Sequence, residues 1–178
     1  PMREENEIKK FQKKYGSFDI LLTQFSYAAW KGGVDNKIYR ENAAEEKLNT
    51  IEKQANILNC RSVIPFASFI YFSNELNFYM NDSINTPERI KKRFLNKKFD
   101  VIFFSPDEIQ EIDDLKQKQL SLDFWREKYN SINLKPKDKF EKSIHFQDLI
   151  FEYKNYIKKI EKKNSKFLIH FLEKIKFM

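Results

Sequence analysis

Apolar residues recur between residues 41 and 58 at Ala44, Leu48, Ile51, Ala55 and Leu58, spacings of four, three, four and three that place them on one face of a helix. Glu45, Glu46, Lys47, Glu52 and Lys53 fill the opposite face, which is expected to be solvated, and no Gly or Pro interrupts the run. A shorter amphipathic helix is predicted over residues 3 to 15, where Ile8, Phe11 and Tyr15 share a face and Gly16 suits the left-handed position past the end. Three unbroken apolar runs lie among these helices: ILLTQF from Ile20, RSVIPFA from Arg61 and DVIFFSP from Asp100. Continuous rather than alternating apolar character is that of strands buried in a parallel sheet. Pro65 has no N–H for a strand ladder and is expected at a strand end or edge. Another helix start precedes the third run, with Thr86 as N-cap, Pro87 in the first turn, Glu88 at the positive end of the dipole, and Ile90 and Phe94 facing inward. Strand and helix signals in alternation give an α/β domain.

From Asp107 the pattern changes to helices, expected at about 111 to 130, 139 to 162 and 164 to 177. In the second, Phe146, Leu149, Ile150, Tyr153, Tyr156, Ile157 and Ile160 form a broad apolar stripe. The last segment, KFLIHFLEKIKFM, is apolar on more than one face and has to be covered by the body, another chain, a membrane interface or further sequence. The expected division is therefore an α/β part, residues 1–106, and a helical, basic extension, residues 107–178.

The 178 residues are 41% hydrophobic, with 18 Phe and 8 Tyr, enough for one core, and the 33% that are charged mix both signs. The formal net charge is +7, and from Lys135 onward twelve lysines face six acids. The Lys, Asn, Ile and Phe richness has the look of an AT-rich coding bias, so nucleic acid is not the expected partner, while the tail suits peripheral contact with an anionic membrane. Cys60 is the only cysteine, which excludes an internal disulfide and a Cys-rich zinc site. The charged N-terminus reads as no secretory leader and no apolar run is long enough to span a bilayer, so a cytoplasmic protein is expected.

Catalytic motifs are missing. Gly32-Gly33, in the loop after the first strand, fits neither a dinucleotide fingerprint nor a P-loop. His145 and His170 fall in expected helices, remote from Cys60, and the adjacent pair Asp113-Asp114 reads as solvent charges. Phe66, Phe69, Tyr71, Phe72, Phe78 and Tyr79 crowd one stretch and serve as core or as a pocket wall. Asn81, Asp82, Ser83 and Asn85, just before the helix at Pro87, form either a series of capping turns or a cradle for an anion. Gln24 and Ser26 end the first strand, and Trp30 packs beneath its loop or lines a pocket.

FDILLTQFSYAAW, AAEEKL, TIEKQ, VIPFASFIYFS, NFYMND and NTPE, spread over residues 10 to 106, resemble the later half of metallo-β-lactamase-fold proteins, in the branch similar to CMP-N-acetylneuraminate hydroxylase and its bacterial relatives. The resemblance implies half of an αββα sandwich, a mixed sheet with covering helices. It implies that the family's His-x-His-x-Asp-His metal motif belongs to a preceding half, so this chain holds no catalytic residue, metal or cofactor of its own, and zinc or iron belongs to a full-length parent. Pro65-Phe66-Ala67 puts Ala67 where the fold's later metal histidine would stand. Gln24, Ser26, Trp30, Asn81 and Asp82 are then the substrate-cleft candidates. The implied function is that of the C-terminal portion of a metal-dependent hydrolase-like or hydroxylase-like protein acting on an anionic metabolite such as a sugar nucleotide, inactive as this truncated chain. Its open sheet face calls for a homo-oligomer or the missing N-terminal half as partner. The alternative is a non-catalytic interaction module whose basic tail binds a protein, an anionic membrane or nucleic acid.

Overall fold

Three short parallel strands form the sheet in the computed structural model of the chain, which describes residues 4–139 and 144–165. They are β1 (Ile20–Thr23), β2 (Ser62–Pro65) and β3 (Asp100–Val101), side by side in chain order. Leu21 pairs with Val63, and Val63 with Val101. Helix α1 (Glu5–Tyr15) precedes β1 and packs on α2 (Lys37–Leu58), which connects β1 to β2, while α3 (Pro87–Arg93) connects β2 to β3. Parallel neighbours require crossovers of this kind, because the chain must return to the same end before the next strand begins. The α/β expectation is met. The mixed sheet is not: among the described residues every strand pair is parallel, since a helix and not a hairpin leads into each.

The five apolar positions that mark the long helix are all buried in α2. Leu48, Ile51 and Ala55 meet Val63 and Val101 from the sheet, Phe103 just beyond β3, Ile90 from α3 and Phe94 at its C-cap in one core. Ile8 of α1 packs with Leu58 and Cys60 in a second cluster. Gly16 closes α1 at φ 86 with its N–H on the Gln12 carbonyl, and the Thr86 hydroxyl caps α3 by accepting from the Arg89 N–H at 3.3 Å. Pro65 is the last residue of β2, and the next N–H, from Phe66, resumes the ladder on the Thr23 carbonyl at 2.9 Å. The polar face of α2 is less solvated than expected. Glu45 pairs with Arg89 and Arg93, and Glu52 with Arg93 and Lys97, stitching α2 to the α3 region.

The chain separates into two compact units, Pro1–Lys139 and Phe140–Met178. In the first, the helix expected from residue 111 begins only at α4 (Gln119–Asn130). The Gln117 side chain is spent on both the N–H and the carbonyl of Phe103, which holds the preceding backbone out of a helix. Helix α4 packs on α3, its Trp125 ring stacks on Phe69, and the indole N–H donates to the Phe104 carbonyl at 2.8 Å. In the second unit α5 (Phe146–Lys163) starts after His145, which is its N-cap and not a helical residue. The helix expected at 164 to 177 lies outside the described residues beyond Ser165, as does His170. No helix among the described residues is long and apolar enough to cross a membrane.

Candidate functional site

Because the strands are parallel, their C-terminal ends share one edge of the sheet, where α/β folds place their ligand sites. The loop after β1 turns at Gly32 (φ +78), where an added Cβ would come within 2.6 Å of the Asn36 side chain, and Asn36 Oδ1 accepts from the Gly33 N–H at 2.8 Å. That turn delivers the chain to α2 one turn earlier than the apolar pattern indicates, which puts Arg40 on the helix.

Arg40 is only 1% exposed and anchors the edge. Its Nε donates to Asp82 Oδ1 at 2.9 Å and its Nη2 to Asp82 Oδ2 at 2.7 Å, a two-pronged ion pair. Its remaining donors reach the carbonyls of Gly33 (2.6 Å) and Val34 (3.1 Å), and its guanidinium lies 4.9 Å from the Tyr79 ring. The Tyr79 hydroxyl donates to the Gly32 carbonyl and that of Tyr27 to the Met80 carbonyl, at 2.7 and 2.6 Å. Asn85 donates its amide to the carbonyls of Phe25 and Ala44, while its backbone N–H donates to Ser26 Oγ at 3.1 Å. Hydrogen bonding by Arg40 holds the Asp82 carboxyl below the ordinary range, against the upward push of burial, with the Ser83 hydroxyl adding to it. Burial, with Asp82 close by, pushes the Tyr27 phenol up to about 12. The loop after β1 and the 3-10 turn Phe78–Ser83 are thus tied into one rigid piece.

Beside that piece, between the 3-10 turn, α3 and α4, opens a cleft of about 700 Å³. Its charges are largely paired: Asp82 with Arg40, and Glu88 with Arg126 at 3.1 Å across the cleft. Asn130 and Asn133 contribute to its rim. Tyr129 lines it with a buried hydroxyl that makes no hydrogen bond of normal geometry; burial and Glu88 both push its pKa upward, so it stays protonated.

Of the five residues singled out from the sequence, Asn81 and Asp82 line this cleft. Asn81 is committed to the backbone, accepting from the Phe72 N–H and donating to the carbonyls of Phe72 and Phe78. Ser26 is buried and reaches the same segment through Asn85. Gln24 and Trp30 are exposed, Trp30 by 69%, and do not line the cleft. Arg40 was not singled out, because its partner is 42 residues away and nothing local marks the pair.

A second polar cluster follows β3. Glu108, with a side chain 6% exposed, accepts from the Ser105 N–H and hydroxyl at 3.0 and 3.2 Å and from the Ser121 hydroxyl and the Gln110 amide, with Lys118 Nζ at 3.5 Å. Burial pushes this carboxyl up, but the donors, Ser121 foremost, outweigh it and bring it down to about 2. A carboxylate so saturated with donors fastens the loop to α4 and is no base at neutral pH.

Among the described residues no three His, Cys, Asp or Glu side chains gather as a metal site. Ala67 is exposed and has φ 56, a conformation that Asn59, Asn96 and Asp107 also adopt but that suits an alanine poorly. Cys60 is buried, and desolvation pushes its thiol up, away from reactivity. Comparison with known protein families, characterised proteins and solved structures gives no match.

Proposed function

We propose that the chain is one α/β layer of a two-layered, metallo-β-lactamase-like sandwich, contributing cleft walls and no metal ligands to a protein that acts on an anionic metabolite such as a sugar nucleotide. The observation that carries this reading is the unequal burial of the sheet's two faces. Leu21 and Val63 face α2 and the core, while on the other face Leu22 is 57% exposed, Ile64 is half-buried and Phe66, further along β2, is exposed, the apolar strip ending beside β3, where Ile102 is buried. A row of large apolar side chains left in water at a sheet is costly and calls for a second layer. The donor set does not fit a metal, so no step of any reaction is assigned to one in this chain. The strained Ala67 at the end of β2 accords with a position adjoining a site. Since the cleft's charges are already paired, it suits the hydroxylated part of such a metabolite, and the anionic part is met outside it.

Without its second layer the chain covers the row by self-association. Sedimentation velocity tests this: the wild-type chain forms dimers or larger species at micromolar concentration and Leu22→Lys shifts it to monomer. A wild type that stays monomeric throughout sinks the reading.

A second reading rests on α5. Leu149, Tyr153 and Tyr156 are exposed along one stripe, and Lys158, Lys159, Lys162 and Lys163 crowd its last turns. This is the build of a helix that lies on an anionic membrane. Co-sedimentation with phosphatidylserine vesicles that weakens steeply with salt supports it, and no binding at low salt removes it.

A further inference from the structure

A smaller cavity of about 260 Å³, sharing Tyr129 and Ile132 with the cleft, lies between the segment Phe69–Tyr71 and α4. Its walls are Phe69, Ile70, Phe124 and Trp125. They are already fixed. Trp125 is held by its bond to the Phe104 carbonyl, stacks on Phe69 with centroids 3.6 Å apart at 13°, and meets Phe124 edge-on at 5.0 Å. A preformed wall spares a ligand the cost of ordering side chains.

The polar groups at this cavity are all of one kind. Lys135 Nζ sits 4.2 Å from the centroid of the Tyr71 ring, and Lys128 Nζ 5.2 Å from that of Phe124, so both ammonium groups are held at the rim. No carboxylate lines the cavity, and among the described residues neither lysine has an ion-pair partner. Tyr129 lines both cavities, its buried hydroxyl lying close to the Ile70 backbone and to Glu88. An aromatic body fits the walls, an acceptor of negative charge fits the rim, and the volume, at the small end for ligand pockets, limits the body to one or two rings. A monoanion matches two ammonium groups set apart at the rim of so small a cavity, and a carboxylate attached directly to the ring is the most compact anion that reaches them.

We propose that this cavity binds a small aromatic carboxylate, its ring against Phe124 and Trp125 and its carboxylate between Lys128 and Lys135. The inference does not depend on the metallo-β-lactamase reading. Calorimetric titration of the full chain with naphthoate and with its neutral analogue naphthylmethanol tests it. Naphthoate binds at least about tenfold more tightly, a difference of the size one charge-assisted contact supplies. The double variant Lys128→Gln, Lys135→Gln loses that preference and keeps its affinity for naphthylmethanol within about twofold, which also shows that the cavity is intact. Equal affinities in the wild type, no binding of naphthoate, or a preference that survives in the double variant each overturn the proposal, the last by placing the anion at another basic surface.

Discussion

Leu21 and Leu22 are neighbours in the chain and identical in chemistry, yet they meet opposite surroundings. Leu21 pairs with Val63 and packs into two core clusters beneath α1 and α2, whereas Leu22 pairs with Ile64 and stands more than half in water. The pleat of a strand sends alternate side chains to opposite faces, so one sheet displays both environments within two residues. On that face Leu22, Ile64 and Phe66 form an apolar strip that ends at the buried Ile102. The difference teaches that the chain's own helices close one side of the sheet fully, while the other side is closed at β3 and leaves its β1 end in water.

The largest effect separates the two faces directly. Ile51→Ala removes a fully buried side chain between α2 and the sheet and costs about 3 kcal/mol in urea unfolding. Leu22→Lys, on the open face, changes the unfolding free energy of the monomer by no more than about 0.5 kcal/mol. Comparable costs for the two would break the comparison.

Next in size is the brace above the sheet edge. Arg40→Ala leaves Asp82 and the carbonyls of Gly33 and Val34 without their donor, and costs about 2 kcal/mol, less than a fully buried pair because the Asp82 side chain keeps 31% of its exposure. The Asp82 carboxyl sits below its ordinary range in the folded protein, so its contribution is present above that range and is lost as pH falls through the folded value. Arg40→Ala therefore unfolds at a higher pH than the wild type in an acid titration followed by circular dichroism. Glu108 follows the same sign, and its share of stability is lost between about 4.5 and about 2. Glu108→Gln flattens the pH dependence of stability across that window.

A smaller effect of opposite sign tests the site edge. Ala67→Gly relieves a left-handed alanine and raises stability by about 1 kcal/mol in the same urea assay. A loss would show that the Ala67 methyl is packed and not strained.

Much of the scaffold was legible in the residues. The spacing of Ala44, Leu48, Ile51, Ala55 and Leu58, the Thr86-Pro87 cap and Gly16 are local signals with local causes, and each stands where the pattern placed it. The first turn of α2 was not legible, because Ile38 and Tyr39 are exposed and Arg40 points inward, the reverse of an amphipathic pattern. Contacts between distant segments were hidden for the same kind of reason. Arg40 with Asp82, Asn85 with Phe25, and Glu108 with Ser121 are polar pairs whose partners are set by topology, not by spacing. Asn81 and Asp82, which cluster before a helix in the sequence, line the cleft, while Gln24 and Trp30 lie away from it.

The claim that the Leu22 face is built to be covered can be read from one reagent. In a Leu22→Cys variant the only other thiol, Cys60, is buried and shifted up by desolvation, so it reacts slowly with maleimide. The account predicts fast labelling of the introduced thiol in dilute solution and progressively slower labelling as protein concentration rises and the face is covered by another copy. A labelling rate that stays the same from nanomolar to high micromolar protein would contradict it.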